Sequence, residues 1–281
     1  MSFNFCSFSS GSSGNSYLVR TRTTALIVDA GISTKRILTG LSDTQTPTEL
    51  VSGLLLTHEH SDHVKSLGTL SKKLPQMGVY ATLGTWAGIE EAGISCGEQQ
   101  KRFFHRDETF QVGDITVKAF PVSHDARDPV GFSFFHGGNQ ISIITDTGYL
   151  SEEMLAEVAG ARILVLEANH DIEMLKFGRY PWFLKQRVLG REGHLSNIAA
   201  GEALLTLLNS SNVDQETGEI RTCSKEQTCV VLAHLSKENN FPEMAYQTIK
   251  NILEENQYYI GKHISLNTLI RDELSSIYSI E

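Results

Sequence analysis

The sequence predicts a mixed α/β layered domain, and three observations carry that expectation. Short apolar stretches of strand length alternate with helical patterns along the chain. Several of those stretches end on a ligand-type side chain, and one runs through a polar turn into a helix. The chain has 281 residues, of which 40% are hydrophobic and 20% charged, with a mean hydropathy of −0.16. Such a globular chain buries roughly three quarters of its extended surface. Sheet-rich enzymes of about 200–250 residues are routinely one domain, so a single domain over 1–281 is expected.

Taken in order, residues 3–8 alternate, 9–14 are almost all Ser and Gly, and 17–20 and 25–29 read as strands. The first two strands flank a glycine turn, as a hairpin does. A helix is expected at 34–41, a buried strand at 51–57, and a helix at 62–74 with Leu67, Leu70 and Leu74 at helical spacing. Strands are expected at 79–82, 115–122, 130–135 and 141–145, with Asn139 inside a Gly-Gly-Asn turn signal. Helices follow at 151–159, 196–208 and 241–254, and strands at 162–167 and 228–233. The polar stretch 209–227 reads as an exposed loop, and 169–193 as a basic, aromatic insertion.

Composition excludes several classes. No apolar run approaches the 18 or so residues of a membrane helix, and the start of the chain lacks the pattern of a secretory signal, so the expected location is the cytoplasm. The four cysteines form no C-x-x-C pair, which suggests neither a disulfide framework nor a cysteine zinc site. They are expected to be reduced and mostly packed. A net charge of −9 argues against a protein that coats nucleic acid nonspecifically, while leaving room for a local basic groove.

The sharpest motif is Thr57-His58-Glu59-His60-Ser61-Asp62-His63, placed at the end of a buried strand. His58, His60, Asp62 and His63 are four ligand-type side chains within six residues. Neutral imidazoles and carboxylates suit Zn²⁺ or Mn²⁺, and the string can serve two adjacent ions. It cannot close two coordination spheres alone. Three further candidates end comparable apolar strands: His124, Asp146 and His234.

The string, followed in order by His124, Asp146 and His234, resembles the signature of the metallo-β-lactamase fold, and Asp29 in Val28-Asp29-Ala30-Gly31 resembles its first motif. The resemblance covers nearly the whole chain and implies a four-layer αββα sandwich. It implies that His58, His60 and His124 hold one ion, that Asp62, His63 and His234 hold the other, and that Asp146 bridges them. Asp29 would support rather than ligate. Two adjacent metals acidify a shared water to hydroxide near neutral pH and stabilise a developing oxyanion, so hydrolysis is the natural reaction. Asp62 could orient that water or accept its proton.

The fold does not choose a substrate. Between 174 and 191 lie Lys176, Arg179, Lys185, Arg187 and Arg191 with no acidic residue, interleaved with Phe177, Tyr180, Trp182 and Phe183. Cations that neutralise phosphates beside aromatics that stack on bases suit a nucleic-acid groove, and the alternative is a helix with a solvated basic face. Leu166-Glu167-Ala168-Asn169-His170 and Gly193-His194-Leu195-Ser196-Asn197 resemble motifs of ribonuclease Z. That resemblance implies that Glu167 orients His194, which contacts the phosphate or protonates the leaving oxygen. The full ribonuclease Z exosite is not evident. Without the family, Ser196 or Asn197 would be a helix cap.

The blocks Ser10-Gly11-Ser12-Ser13-Gly14-Asn15, His124-Asp125, Asp128-Pro129-Val130-Gly131-Phe132, Asn169-His170-Asp171-Ile172-Glu173-Met174-Leu175, Gly178-Arg179-Tyr180-Pro181-Trp182 and Gly193-His194-Leu195-Ser196-Asn197 resemble the YycJ/WalJ family of bacterial DNA exonucleases. The resemblance implies 5′ to 3′ degradation of DNA with two divalent ions, Zn or Mn. Ser13, Gly14 and Asn15 could offer donors to a phosphate, or form a plain hairpin turn. His170 could line the pocket or be a surface or supporting histidine, and His105, His136 and His263 read as structural. Two alternatives stand beside the exonuclease. One is a ribonuclease or small cyclic phosphodiesterase on the same site, the other a non-catalytic metal-stabilised nucleic-acid-binding or regulatory protein. Spacing says nothing about oligomeric state.

Overall fold

A computed structural model of the protein describes residues 2–212 and 227–281. In chain order its elements begin with β1 (Phe3–Ser9), β2 (Ser16–Arg20), β3 (Ala25–Val28), α1 (Thr34–Asp43), β4 (Val51–Leu55), α2 (Ser61–Val64), α3 (Leu67–Lys73) and β5 (Gly78–Ala81). There follow α4 (Leu83–Glu91), β6 (Lys101–Phe103), β7 (Thr109–Val112), β8 (Ile115–Pro121), β9 (Val130–His136) and β10 (Asn139–Ile144). The last are α5 (Glu152–Val158), β11 (Ile163–Glu167), α6 (Ile172–Phe177), α7 (Trp182–Leu189), α8 (Asn197–Asn212), β12 (Thr228–Ala233), α9 (Pro242–Glu255), β13 (Ile264–Thr268) and β14 (Tyr278–Ile280). The residues fall into two compact units. The first comprises Met1–Pro121, Asp125–Gln140 and Ile270–Glu281, and the second Val122–His124 and Ile141–Leu269.

The first unit is built on a seven-stranded sheet of order β14-β1-β2-β3-β4-β5-β6. The β1–β2 hairpin is antiparallel, as the glycine-rich turn predicts, while β3, β4, β5 and β6 run parallel. One face of this sheet buries Ile27, Leu54 and Val79 against Ile37, Leu41, Leu67, Leu70, Trp86 and Ile89 of the helices. Strands β7, β8 and β9 form an antiparallel trio in the same unit. The second unit carries the parallel ladder β10-β11-β12-β13. Its strand β11 is buried throughout, as a parallel strand covered on both faces requires. The α/β class expected from the alternation is met.

Three expectations need correction. The helix expected at 62–74 is two helices, because the chain breaks to satisfy Ala30. The Ala30 amide donates to the His63 carbonyl at 2.7 Å, and its carbonyl accepts the Ser66 amide at 2.9 Å and the Ser66 hydroxyl at 3.0 Å. The Gly-Gly-Asn turn is narrower than expected, since Gly137 and Gly138 hold the positive φ values, 58° and 79°, and Asn139 already opens β10. The loop expected at 209–227 begins later, because α8 continues through Asn212, and 213–226 lies outside the described residues.

The strands missing from the expectation, β6, β7, β13 and β14, are short edges of their ladders, where half-exposed residues blur any alternation. Helix α4, also unexpected, is capped by the Thr82 hydroxyl accepting the Thr85 amide at 3.2 Å. Cys6 is buried and Cys96 and Cys229 half-buried, all as free thiols. No helix among the described residues is long and apolar enough to cross a membrane.

Candidate metal centre

In the first unit the donors grow from the end of β4. Asp29, fully buried just after β3, receives the Thr57 amide at 2.9 Å and the Thr57 hydroxyl at 2.9 Å, while its own amide donates to the Leu55 carbonyl. That carboxylate clamps two strand ends. Its Oδ2 also lies 2.7 Å from Nδ1 of His63, equally buried. With Nδ1–H donating to that carboxylate, the tautomer places the His63 lone pair on Nε2. His58 places Nδ1 3.0 Å from the Thr57 hydroxyl. Its ring stands 4.6 Å from that of His60 and 4.1 Å from that of His63. Asp62, in the first turn of α2, brings Oδ2 to 3.5 Å from the His63 Nε2. The remaining acid of the string, Glu59, turns away to accept the Arg127 amide at 2.9 Å.

The turn is locked from the N-terminal loop. The Asp62 carbonyl accepts the Asn15 amide at 2.8 Å, and a Cβ on Gly31 would lie 1.6 Å from that same carbonyl oxygen. No other residue fits at Gly31 without moving the turn. Asn15 itself is fully buried: its Oδ1 accepts the Gly11 amide at 2.8 Å and its Nδ2 lies 3.0 Å from the His63 Nε2. Its side chain therefore faces the imidazole rather than solvent. Ser13 is exposed, with its hydroxyl 3.5 Å from Asp272.

In the second unit the donors come from separate strand ends. Asp146 follows β10 and His234 follows β12, and both hold left-handed backbones, with φ of 56° and 55°. Asp29 after β3, at 61°, shares this conformation. For non-glycine residues it is uncommon, and it concentrates where function fixes the backbone. Glu167, at the end of β11, is fully buried and used on every side. Its Oε1 lies 2.7 Å from Nδ1 of His194 and 3.0 Å from Nδ1 of His234, while Oε2 accepts the Thr147 amide at 2.8 Å and the Leu195 amide at 3.3 Å. Burial pushes this carboxyl up, but the adjacent His194 and His234 outweigh it and hold the group well below the usual carboxylate range.

With Nδ1 of His234 on Glu167, its Nε2 faces Asp146 Oδ1 at 3.5 Å. His124 is set the same way, Nδ1 on the Gly193 carbonyl at 3.1 Å and Nε2 3.8 Å from Asp146. Donor atoms of Asp146, Glu167, His194 and His234 all fall within 4.8 Å of one another, a spacing that could hold a metal ion. The second unit thus brings together its sequence-expected residues, and the expected Glu167–His194 contact is present.

The grip of Glu167 on a second imidazole, that of His234, had no signal in the sequence. Neither did the buried amide lattice behind it: Asn240 donates to the Ala168 and Asn169 carbonyls, and Asn169 donates to the His234 carbonyl at 2.9 Å. Ser196 caps α8, its hydroxyl accepting the Ala199 amide, while Asn197 bonds Asn240. His170 is not at the surface; it is 1% exposed, and neither ring nitrogen has a hydrogen-bond partner among the described residues. Burial drops its pKa to about 4 against the opposing pull of Glu167.

The basic segment folds as α6 and α7. Lys176, Arg179 and Arg187 are exposed, and Tyr180 and Lys185 half-buried. Lys176 lies 3.1 Å from Glu173, and the Lys185 ammonium donates to the Lys176 carbonyl at 2.7 Å, tying the end of α6 to α7.

Residues 24–212 match the model of the beta-lactamase superfamily domain. The chain is 37% identical to the exodeoxyribonuclease YycJ of Bacillus anthracis, over 95% of each chain. It is 38% identical to the exodeoxyribonuclease WalJ of Streptococcus pneumoniae, over 92% of this chain and 91% of that one. The metallo-beta-lactamase fold protein YhfI of Bacillus subtilis superposes with a TM-score of 0.68 at 15% identity, covering 98% of this chain and 99% of that one.

Proposed function

The chain belongs to the beta-lactamase superfamily, with the YycJ and WalJ exodeoxyribonucleases among its relatives, and on that premise we propose that this metal-dependent hydrolase degrades DNA from an end, in the 5′ to 3′ direction. The observation that carries the reading is the state of the imidazoles. His124 and His234 each have Nδ1 engaged by a carbonyl or a carboxylate and turn Nε2 toward Asp146, and Asp29 holds His63 in the same tautomer, its Nε2 beside Asn15 and Asp62. That donor chemistry fits two divalent ions, Zn or Mn, held by His58, His60, Asp62, His63, His124, Asp146 and His234. Such ions supply acidified water and positive charge against a developing oxyanion.

The chain's own residues do the rest. Asp62, whose side chain is 25% exposed, orients the attacking water or takes its proton. His194, fixed through Nδ1 by Glu167 and 19% exposed, presents Nε2 toward the phosphate or the leaving oxygen. Lys176, Arg179, Lys185 and Arg187 neutralise backbone phosphates along α6 and α7, with Tyr180 beside them. Asn15 holds His63 rather than substrate. A DNA substrate places this reading in the cytoplasm.

End-labelled single-stranded DNA, double-stranded DNA and RNA, incubated with metal-loaded protein and with Asp62→Ala, test the reading. Progressive shortening of DNA from its 5′ end, lost in the variant, is expected. Faster cleavage of RNA, or no cleavage of any nucleic acid, would overturn it. Separately, Arg179→Glu with Arg187→Glu should weaken DNA affinity and flatten its salt dependence at unchanged metal content, and unchanged affinity would remove the phosphate role.

A further inference from the structure

Several cations of the chain carry a carboxylate where they stand: Arg36 pairs with Asp272, Lys101 with Glu90 and Lys176 with Glu173. Arg191 differs. Its guanidinium lies over the ring of Tyr149, 4.2 Å from the centroid, and no carboxylate pairs with it among the described residues, the adjoining Glu192 included. An aromatic face fixes the plane of a guanidinium without cancelling its charge, and it leaves the N–H groups at the edge free for an anion. Arg191 is exposed and Tyr149 half-buried, so that edge meets solvent.

The stack is built into the loops that carry the reacting groups. Tyr149 lies three residues after Asp146 and Arg191 three before His194, and Asp146 Oδ1 stands 3.9 Å from His194 Nδ1. The Thr147 hydroxyl donates to the Tyr149 carbonyl at 2.7 Å, while the Thr147 amide is one of those that Glu167 accepts. On the other loop the Arg191 carbonyl accepts the Ser123 hydroxyl at 2.9 Å, and a Cβ on Gly148 would lie 2.2 Å from that same oxygen. Glu167 therefore holds both His194 and, through Thr147, the residue on which Arg191 rests. Three residues of chain span at most about 10 Å, the scale of a few nucleotide steps. An anion on Arg191 therefore belongs to the molecule at His194 rather than to a separate protein or membrane partner.

We propose that Arg191, set on Tyr149, binds a phosphate of the substrate next to the one at His194, through the N–H groups along the edge of its guanidinium. This rests on the nuclease reading and adds to it a residue that positions the strand. The planar fork matches two phosphate oxygens, so the contact fixes register and carries no sequence information. The terminal monoester and a neighbouring diester of the strand present the same oxygens, and the test separates them.

Metal-loaded protein is titrated with a phosphorothioate oligodeoxynucleotide, which resists hydrolysis, in the strand form cleaved fastest and with or without a 5′-phosphate. Arg191→Ala should raise Kd by about tenfold and flatten its salt dependence by about one charge. On unmodified DNA, KM should rise by a similar factor with kcat within about twofold, because a phosphate away from the reacting one is bound equally in ground and transition states. Tyr149→Ala keeps the charge but removes the face, and should raise Kd about threefold at an unchanged salt slope, while Tyr149→Phe restores the wild-type value. Unchanged melting temperature and metal content confirm that the variants fold. If the alanine variant melts early, Arg191→Lys decides: it keeps a charge without the fork, and a wild-type Kd in it overturns the contact. Loss confined to the 5′-phosphorylated strand assigns the terminal monoester, equal loss on both assigns the diester, and either upholds the contact. An unchanged Kd in Arg191→Ala overturns it, as does a fall in kcat with Kd and salt slope intact, which makes the stack a support for His194 alone. Wild-type protein that cleaves DNA beside an unaffected Arg191→Ala loses this contact only, whereas wild-type protein that neither binds nor cleaves DNA loses the nuclease reading and the contact with it.

Discussion

The two donor sets are made by opposite means. The first unit takes His58, His60, Asp62 and His63 from one string, held by Asp29 and Thr57 at adjoining strand ends. The second collects His124, Asp146, Glu167, His194 and His234 from five separate places, and one carboxylate, Glu167, holds both His194 and His234 and the amides that follow Asp146 and His194. A contiguous string needs only a local turn, and its supports, Asp29, Thr57 and Asn15, each reach one or two of its residues. A dispersed set needs a shared anchor, so removing that anchor should cost more. The supporting carboxylates, not the ligands, are where the regions should differ.

Removal of a donor comes first. His58→Ala in one set and His234→Ala in the other should each lower kcat/KM on DNA by on the order of a thousandfold or more. A variant of either set that keeps near-normal activity would show that set to be dispensable. Next comes the anchor. Glu167→Gln keeps the shape but loses the charge that orders two imidazoles, and should weaken metal affinity by about a hundredfold, at the upper end of what supporting partners contribute. Asp29→Asn, which touches one imidazole directly, that of His63, should cost about tenfold. Chelator competition measures both, and an equal loss would erase the distinction between a local and a dispersed site.

This difference also governs what was legible. The string His58–His63 could be read because its spacing is its geometry. Asp146 and His234 could be located as strand ends, since a parallel ladder delivers its C-terminal edges together. Their left-handed backbones could not, nor could the hold of Glu167 on His234, because neither is encoded in neighbouring residues. The break between α2 and α3 was hidden for the same reason: it answers to Ala30, far upstream. His170 shows the limit most clearly, for a histidine between polar neighbours in sequence is itself buried.

Smaller effects sharpen the picture. Gly31→Ala should force the Asp62 carbonyl aside and destabilise the fold by about 1–3 kcal/mol, lowering Tm by roughly 2–4 °C for each kcal/mol. An unchanged Tm would mean that the first-unit turn is not locked. His170 gives the least and is read through pH. Its folded pKa of about 4 lies below the ordinary value of 6.5, so its neutral form is the one folding favours. The stability it contributes is present above pH 6.5 and lost as pH falls through 4. Relative to His170→Gln, the wild type should lose Tm faster over that interval, and parallel curves would contradict the burial of a neutral ring.

The central claim is that both sets serve metal, and the direct measurement is the number of divalent ions per folded chain, by native mass spectrometry of Zn- or Mn-loaded protein. Two ions are expected in the wild type. Fewer are expected both in His58→Ala with His60→Ala and in Asp146→Ala with His234→Ala. Full occupancy in either double variant, or none in the wild type, would contradict it.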